Sequence, residues 1–227
     1  MSIHDGHRQR LKDRFLREGL DNFDELHVLE LLLFYCIPRR DTNPIAHRLL
    51  EHFGSLTAVL EANTEELEKV EGISQSAAAF LSLVMQTGRY YQVQRADPGN
   101  ILRTTDQCGH FLMPYFFGRE TETVFLLCLD AKCKVICCKK VGEGNVNSAN
   151  IPVRRVVEMA LSANATSVVL AHNHPSGLAL PSADDIQTTY RVAAALEAVE
   201  IILSDHIVVS KDDFVSMVQS QYYTPNN

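Results

Sequence analysis

No stretch of this chain approaches the roughly 20 apolar residues that a membrane helix requires, so no membrane-crossing helix is expected. The opening MSIHDGHRQRLKDR is polar and charged and lacks the apolar core of a secretory signal. These two absences place the protein in the cytoplasm as an expectation. The chain also lacks an excess of positive charge: its formal net charge is −7, which argues against a surface coated for DNA. Its six cysteines contain no C-x-x-C pair with a matching second pair, so the spacing of a structural zinc site is missing. No internal repeat is evident. What remains is a 227-residue chain of ordinary globular composition, long enough for one large domain or two small ones.

The one local excess of basic charge is at the start, where Arg8, Arg10, Lys12, Arg14 and Arg17 face only Asp5 and Asp13. It reads as a solvated helix face or as a small nucleic-acid footprint. Cys128, Cys133, Cys137 and Cys138 lie in LLCLDAKCKVICCKK, which reads as a β-hairpin turning at Asp130-Ala131-Lys132. Strand alternation puts Cys137 and Cys138 on opposite faces, as buried small hydrophobes rather than metal ligands.

The hydrophobic period changes along the chain. Residues 7–92 read as helices. HRQRLKDRFLREG stops at Gly19, and the strongly apolar FDELHVLELLLFYCI is a buried helix ended by Pro38. NPIAHRLLEHFG closes at Gly54. SLTAVLEA, TEELEKV and QSAAAFLSLVMQTGRYYQV follow, with Asn63 or Thr64 as N-cap of the second of these. Within this half, LEKVEGISQSAAAFL resembles a helix-hairpin-helix, a motif that holds phosphate on turn amides. The usual turn is G-x-G; here Gly72 is kept and Ser74 stands at the second position, with Glu71 adding a negative charge.

QRADPGN is the natural linker, and strands dominate after it. ETVFLLCLD, KVICCKKVG and TSVVLAHNH read as strands, VRRVVEMALSANA and SADDIQTTYRVAAALEAVE as helices, and IILSDHIVVS with DDFVSMV as closing strands. The expected fold is α+β. It has an all-helical domain over residues 1–95 with the helix-hairpin-helix-like segment, a linker at 96–103, a mixed α/β domain over 104–222 and a tail at 223–227.

The chemistry concentrates in VVLAHNHPSGLALPSADDI, residues 168–186. Residues i and i+2 of a strand point the same way, so His172 and His174 face one point while Asn173 faces the other. Pro175-Ser176-Gly177 turns the chain, and Asp185 falls in the first turn of the next helix. Ser182-x-x-Asp185 is by itself a capping box, with acidic residues suited to the helix dipole. Capping gives no reason for the paired histidines. Two imidazoles and a carboxylate converging on one point leave a fourth tetrahedral position for water, as in a catalytic zinc site.

The order His172-x-His174, seven residues, Ser182, two residues, Asp185 resembles the JAMM (MPN+) metalloprotease motif H-x-H-x7-S-x2-D. HNHPSG, with VNS upstream and DH downstream, resembles the bacterial RadC family, and ELLLFYCIPRRDTNPIAHRLL extends that likeness over nearly the whole chain. The resemblance implies a JAB/MPN domain of the cytidine-deaminase-like kind and zinc held by His172, His174 and Asp185. It further implies Ser182 as support for a tetrahedral oxyanion, and a general-base glutamate at the start of the first long strand. Glu122 fits that place best, with Glu120 two residues earlier as the competitor. Asp205-His206 read as an outer group orienting a zinc histidine or as a polar pair in the core, and Asn147-Ser148 as a turn near the site.

The implied function is a zinc-dependent hydrolase that cleaves a peptide or isopeptide bond. The alternatives are a DNA-associated, repair-type protein that binds through its helical domain, and a metal-binding scaffold without turnover.

Overall fold

The computed structural model describes residues 3–95, 99–144, 151–175, 177–211 and 213–225. Asn147 and Ser148, Ser176 of the expected turn and residues 96–98 of the expected linker lie outside the described residues. The chain divides into two compact units, Met1–Gly88 and Arg89–Asn227.

In the first unit, α1 (Ile3–Glu18), α2 (Glu25–Cys36), α3 (Asn43–Phe53), α4 (Leu56–Glu61) and α5 (Thr64–Glu68) precede α6 (Gln75–Arg95), within which the division falls. Local signals set these ends. Gly19 and Gly54 follow α1 and α3 with positive φ, and the Gly54 N–H donates to the Leu50 carbonyl. Asp24 caps α2 by accepting from the His27 N–H, and Asn63 rather than Thr64 caps α5. Leu29, Leu33, Ile45, Leu49, Leu67 and Leu81 close the core of this unit.

The segment likened to a helix-hairpin-helix packs as part of that core. Gly72 has φ +100°, and a Cβ there would lie 2.9 Å from Ile45. Arg48 donates to the Glu71 carbonyl at 3.0 and 3.1 Å, and the Ser74 hydroxyl accepts from the Ala77 N–H at the head of α6.

Two of the opening cations are spent inside this unit. The Arg8 guanidinium donates to the carbonyls of Ile37 (2.7 Å) and Arg40 (2.6 Å) just beyond the end of α2. There a cation satisfies carbonyls and suits the helix dipole. Arg14 pairs with Glu18 and donates to the Asn22 carbonyl.

The second unit adds α7 (Thr105–Phe116), β1 (Thr123–Leu129), β2 (Val135–Glu143), α8 (Val153–Ser162), β3 (Ser167–Asn173), α9 (Ala183–Glu197), β4 (Ile202–Val209) and β5 (Phe214–Ser216). The five strands form one mixed sheet in the order β2-β1-β3-β4-β5. β1 is antiparallel to β2 and β3, β3 runs parallel to β4 through the α9 crossover, and β5 returns antiparallel. Alternation along the strands builds two cores. Val124, Leu126, Cys128, Val168 and Leu170 face α8 and α9. Phe125, Leu127, Leu129, Val169 and Ala171 face α7. Both faces of β1 are therefore covered, and every one of its residues is buried. Cys137 packs on the first face and Cys138 on the second, and all six cysteines are free thiols.

Two features depart from the expected layout. Residues 100–102 pair with the β1–β2 hairpin: the Val135 N–H donates to the Asn100 carbonyl, and the Leu102 N–H to the Cys133 carbonyl. This part of the expected linker belongs to the folded unit, with Leu102 buried. α7 is a helix that the hydrophobic pattern did not announce. A capping box of Thr104 and Gln107 starts it, and Gly109 lets it approach β5 so closely that a Cβ would fall 2.2 Å from the Phe214 ring. Among the described residues no helix is long and apolar enough to cross a membrane.

Candidate metal centre

The site forms where β3 ends and α9 begins. His172 is the penultimate residue of β3, in register with Val124 of β1 and Val208 of β4. His174 follows the strand, and its N–H donates to the Val209 carbonyl at 2.8 Å. That bond carries the extended path past Asn173, so the two imidazoles share a side of the sheet, with ring centroids 4.8 Å apart. Asp185 sits in the first turn of α9, fully buried.

The α9 cap holds Asp185 by one oxygen. Ser182 is the N-cap; its hydroxyl accepts from the Asp185 N–H at 3.1 Å. In return Asp185 Oδ2 accepts from the Ser182 N–H and hydroxyl, both at 2.6 Å. The other oxygen, Oδ1, is buried without a hydrogen-bond partner. It lies 3.0 Å from His172 Nε2. His172 Nε2 is 3.0 Å from His174 Nε2, and His174 Nε2 is 3.6 Å from Asp185 Oδ2. The capping box is therefore formed and one carboxylate oxygen is left over, 3.0 Å from an imidazole nitrogen of His172.

These separations suit a metal. Ligand atoms about 2.0–2.1 Å from a tetrahedral zinc stand about 3.3 Å from one another. His174 Nε2 and Asp185 Oδ1 each stand 3.0 Å from His172 Nε2, and the ligand atoms of all three residues lie within 4.8 Å of one another. His172, His174 and Asp185 form a group able to hold a metal ion, and the orphaned Oδ1 is an acceptor that a cation would satisfy. The electrostatics agree. Burial works against the charge of Asp185, yet the neighbouring imidazoles of His172 and His174 hold its carboxyl well below the usual range. The nearby Asp185 carboxylate raises the His174 pKa against the opposing effect of burial, and the Leu178 carbonyl and the charge of Glu122 add to the rise.

The chain matches the family model of the RadC-like JAB domain over residues 102–222. The chain belongs to the RadC family. Its relatives in that family include a UPF0758 protein of Fusobacterium nucleatum, 32% identical over 221 residues that cover 94% of this chain and 95% of the relative. A UPF0758 protein of Ruegeria pomeroyi is 33% identical over 90% of this chain and 92% of its own length. One of Paraburkholderia phytofirmans is 32% identical over 92% of this chain and 81% of its own length. The RadC-like JAB domain thus occupies the strand-rich part of the chain, and the His-His-Asp group lies inside it.

The remaining residues singled out in the sequence fall at different distances from this centre. Glu122 stands one residue before β1, half-buried, and its charge acts on His174. Glu120 is exposed. Ser182 is exposed and its hydroxyl is engaged with Asp185. Asp205 and His206, adjacent in β4, make separate sets of contacts. Asp205 accepts from the hydroxyls of Thr105 and Ser216 and from the N–H groups of His206 and Val218, tying α7 and the chain end to β4. His206 touches His172 directly, Nε2 to Nδ1, at 2.8 Å.

Sequence reasoning missed Asn173. Its Oδ1 accepts from the Thr123 N–H at 2.7 Å, and its Nδ2 donates to the Thr121 carbonyl at 3.3 Å. Those two main-chain groups flank Glu122. The residue between the histidines therefore grips the main chain on both sides of the glutamate. The period of 2 showed that Asn173 faces away from the histidines; only the β1–β3 pairing shows what it faces.

Proposed function

We propose that this protein is a JAMM-type hydrolase that uses zinc to cleave a peptide or isopeptide bond. The observation that carries the reading is the division of labour at Asp185, where Oδ2 caps α9 and Oδ1 is left buried without a hydrogen-bond partner, 3.0 Å from His172 Nε2 and beside the paired imidazoles. Zinc held by His172, His174 and Asp185 would polarise the scissile carbonyl and bring the pKa of its water to about 7.

The chain's own groups divide the remaining work. The Glu122 carboxylate takes a proton from the attacking water and passes it to the leaving nitrogen. Ser182, exposed at the head of α9, supports the oxyanion by turning its hydroxyl toward the substrate oxygen. The Ser182 N–H keeps its bond to Asp185 Oδ2 when the hydroxyl turns, so the ligand stays in place. Leu178 and Leu180 stand exposed on the segment between His174 and α9 and offer apolar surface to a substrate chain. On the helical unit no observation favours a DNA partner: Arg8 and Arg14 direct their guanidinium donors to groups of that unit.

A screen of peptide, isopeptide-linked and DNA substrates, with wild type beside His174→Ala, tests the reading. Cleavage of an amide substrate by wild type and not by the variant supports it. Zinc binding with no amide cleavage across the screen would leave a scaffold and overturn the hydrolase.

Asn173 gives a narrower test. Removing the amide in Asn173→Ala strands the buried Thr123 N–H, at a cost of about 1–3 kcal/mol in stability. Zinc content should stay at the wild-type level, because no ligand is touched. Turnover should fall more than KM changes, because the glutamate loses its anchored main chain. A folded, zinc-loaded variant with wild-type turnover would remove Asn173 from the positioning of Glu122.

A further inference from the structure

A metal-binding imidazole must present a bare nitrogen, and which nitrogen is bare depends on what the other one meets. His172 meets another imidazole. Its Nδ1 lies 2.8 Å from His206 Nε2, and His206 Nδ1 lies 2.6 Å from Thr189 Oγ1. The Thr189 hydroxyl donates to the Asp185 carbonyl at 2.7 Å, one turn back along α9. The path therefore runs from one ligand, through β4, to the main chain of another ligand. His172 is 3% exposed, and Thr189 and His206 are fully buried, so the path is shielded from bulk solvent.

One arrangement of the protons along this path leaves the ligand cluster open to a cation. In it the single hydroxyl proton of Thr189 goes to the Asp185 carbonyl at 2.7 Å rather than to the more distant Met217 sulfur at 3.4 Å. Its oxygen then accepts from His206, so the His206 proton is on Nδ1. Neither ring nitrogen of His206 meets a carboxylate, and complete burial disfavours a charge on the ring. A neutral ring protonated on Nδ1 has a bare Nε2, which accepts from His172 Nδ1. His172 is then bare at Nε2, the atom 3.0 Å from both His174 Nε2 and Asp185 Oδ1. The reverse arrangement would put the His172 proton on Nε2, inside the ligand cluster, where it blocks a metal.

We propose that His206 is a positioning residue of the metal centre: protonated on Nδ1 against Thr189, it accepts the Nδ1 proton of His172 and leaves His172 Nε2 bare for a cation. The proposal rests on the reading of His172, His174 and Asp185 as ligands. It assigns the histidine of the downstream Asp-His pair to the outer shell of that site, and it explains why a fully buried imidazole faces another one.

The test reads protons and metal rather than turnover. Long-range ¹H–¹⁵N correlation spectra of the full-length protein, with and without zinc, report the tautomer of each ring. His206 should be neutral with its proton on Nδ1 in both states, and His172 should donate from Nδ1. A proton on His206 Nε2 in either state overturns the proposal. Should zinc fail to bind, the ligand reading falls, while the metal-free spectrum still decides the direction of the path.

Zinc titration against a competing chelator supplies the second readout. His206→Leu removes the acceptor and should weaken zinc about 10–100-fold. His206→Gln, which retains an acceptor oxygen, should regain part of that loss. Thr189→Val keeps the shape of the side chain and guards against a folding defect in the His206 variants. It should weaken zinc in the same direction and scramble the His206 tautomer. Unchanged zinc affinity in folded His206→Leu and Thr189→Val proteins overturns the proposal.

Discussion

The purified protein should bind close to one zinc ion per chain, and His172→Ala should lose it. The expected effect is large because the proposed site has three protein ligands among the described residues. Structural zinc binding is worth about 10–16 kcal/mol over four ligands, so one ligand carries about 2.5–4 kcal/mol, or about 10²–10³-fold in affinity. His172 contributes the nitrogen closest to both other ligand groups, 3.0 Å from each. Elemental analysis gives the stoichiometry, and thermal melting gives an independent check. Zinc at 100 times its Kd stabilises the folded state by about 2.7 kcal/mol, so the wild-type melting temperature should rise with zinc and that of His172→Ala should not. Ser182→Ala separates ligation from capping. It removes the capping hydroxyl at a cost of about 1 kcal/mol and leaves the three ligating side chains in place. That variant should melt earlier and still respond to zinc. A wild-type protein that carries no metal at neutral pH and melts identically with and without zinc would end the metal reading.

Glu122→Gln should retain zinc and lose turnover. The substitution keeps the size of the side chain and removes its capacity to accept a proton, which is worth about 10²–10⁴-fold in rate for a general base. KM on the substrate found by the screen should change little, since the group acts on the attacking water. Glu120→Gln is the matched control. Glu122 is half-buried with its charge acting on His174, whereas Glu120 is exposed, so the control should turn over near the wild-type rate. Wild-type turnover in Glu122→Gln would move the base elsewhere, and loss of turnover in Glu120→Gln alone would assign it to Glu120.

Much of this site was legible in the string AHNHPSGLALPSADD because its signals are local. Period-2 alternation put His172 and His174 on one side, and the Ser182-x-x-Asp185 capping box placed Asp185 at a helix start; both follow from backbone geometry within a few residues. The helix ends at Gly19 and Gly54 were readable for the same reason, since positive φ favours glycine. α7 was missed although its Thr104–Gln107 cap is a local signal. Its apolar residues Phe111, Leu112 and Phe116 merge with Phe117, and Pro114 within the helix obscures the period.

The sequence by itself determined the two-part organisation of helices followed by strands, the membership in a family and the three residue types that converge at the strand end. Each of these depends on order and spacing along the chain. Only the tertiary structure decided which oxygen of Asp185 caps and which is left over. It alone set His206 against His172 and Asn173 around Glu122. Those relations cross from β3 to β4, from α9 to β4 and from β3 to the start of β1, between residues 17 to 52 apart. They depend on strand register and on the path of a crossover helix. A hydrogen bond depends on where two atoms meet in space, and the spacing of their letters does not encode that.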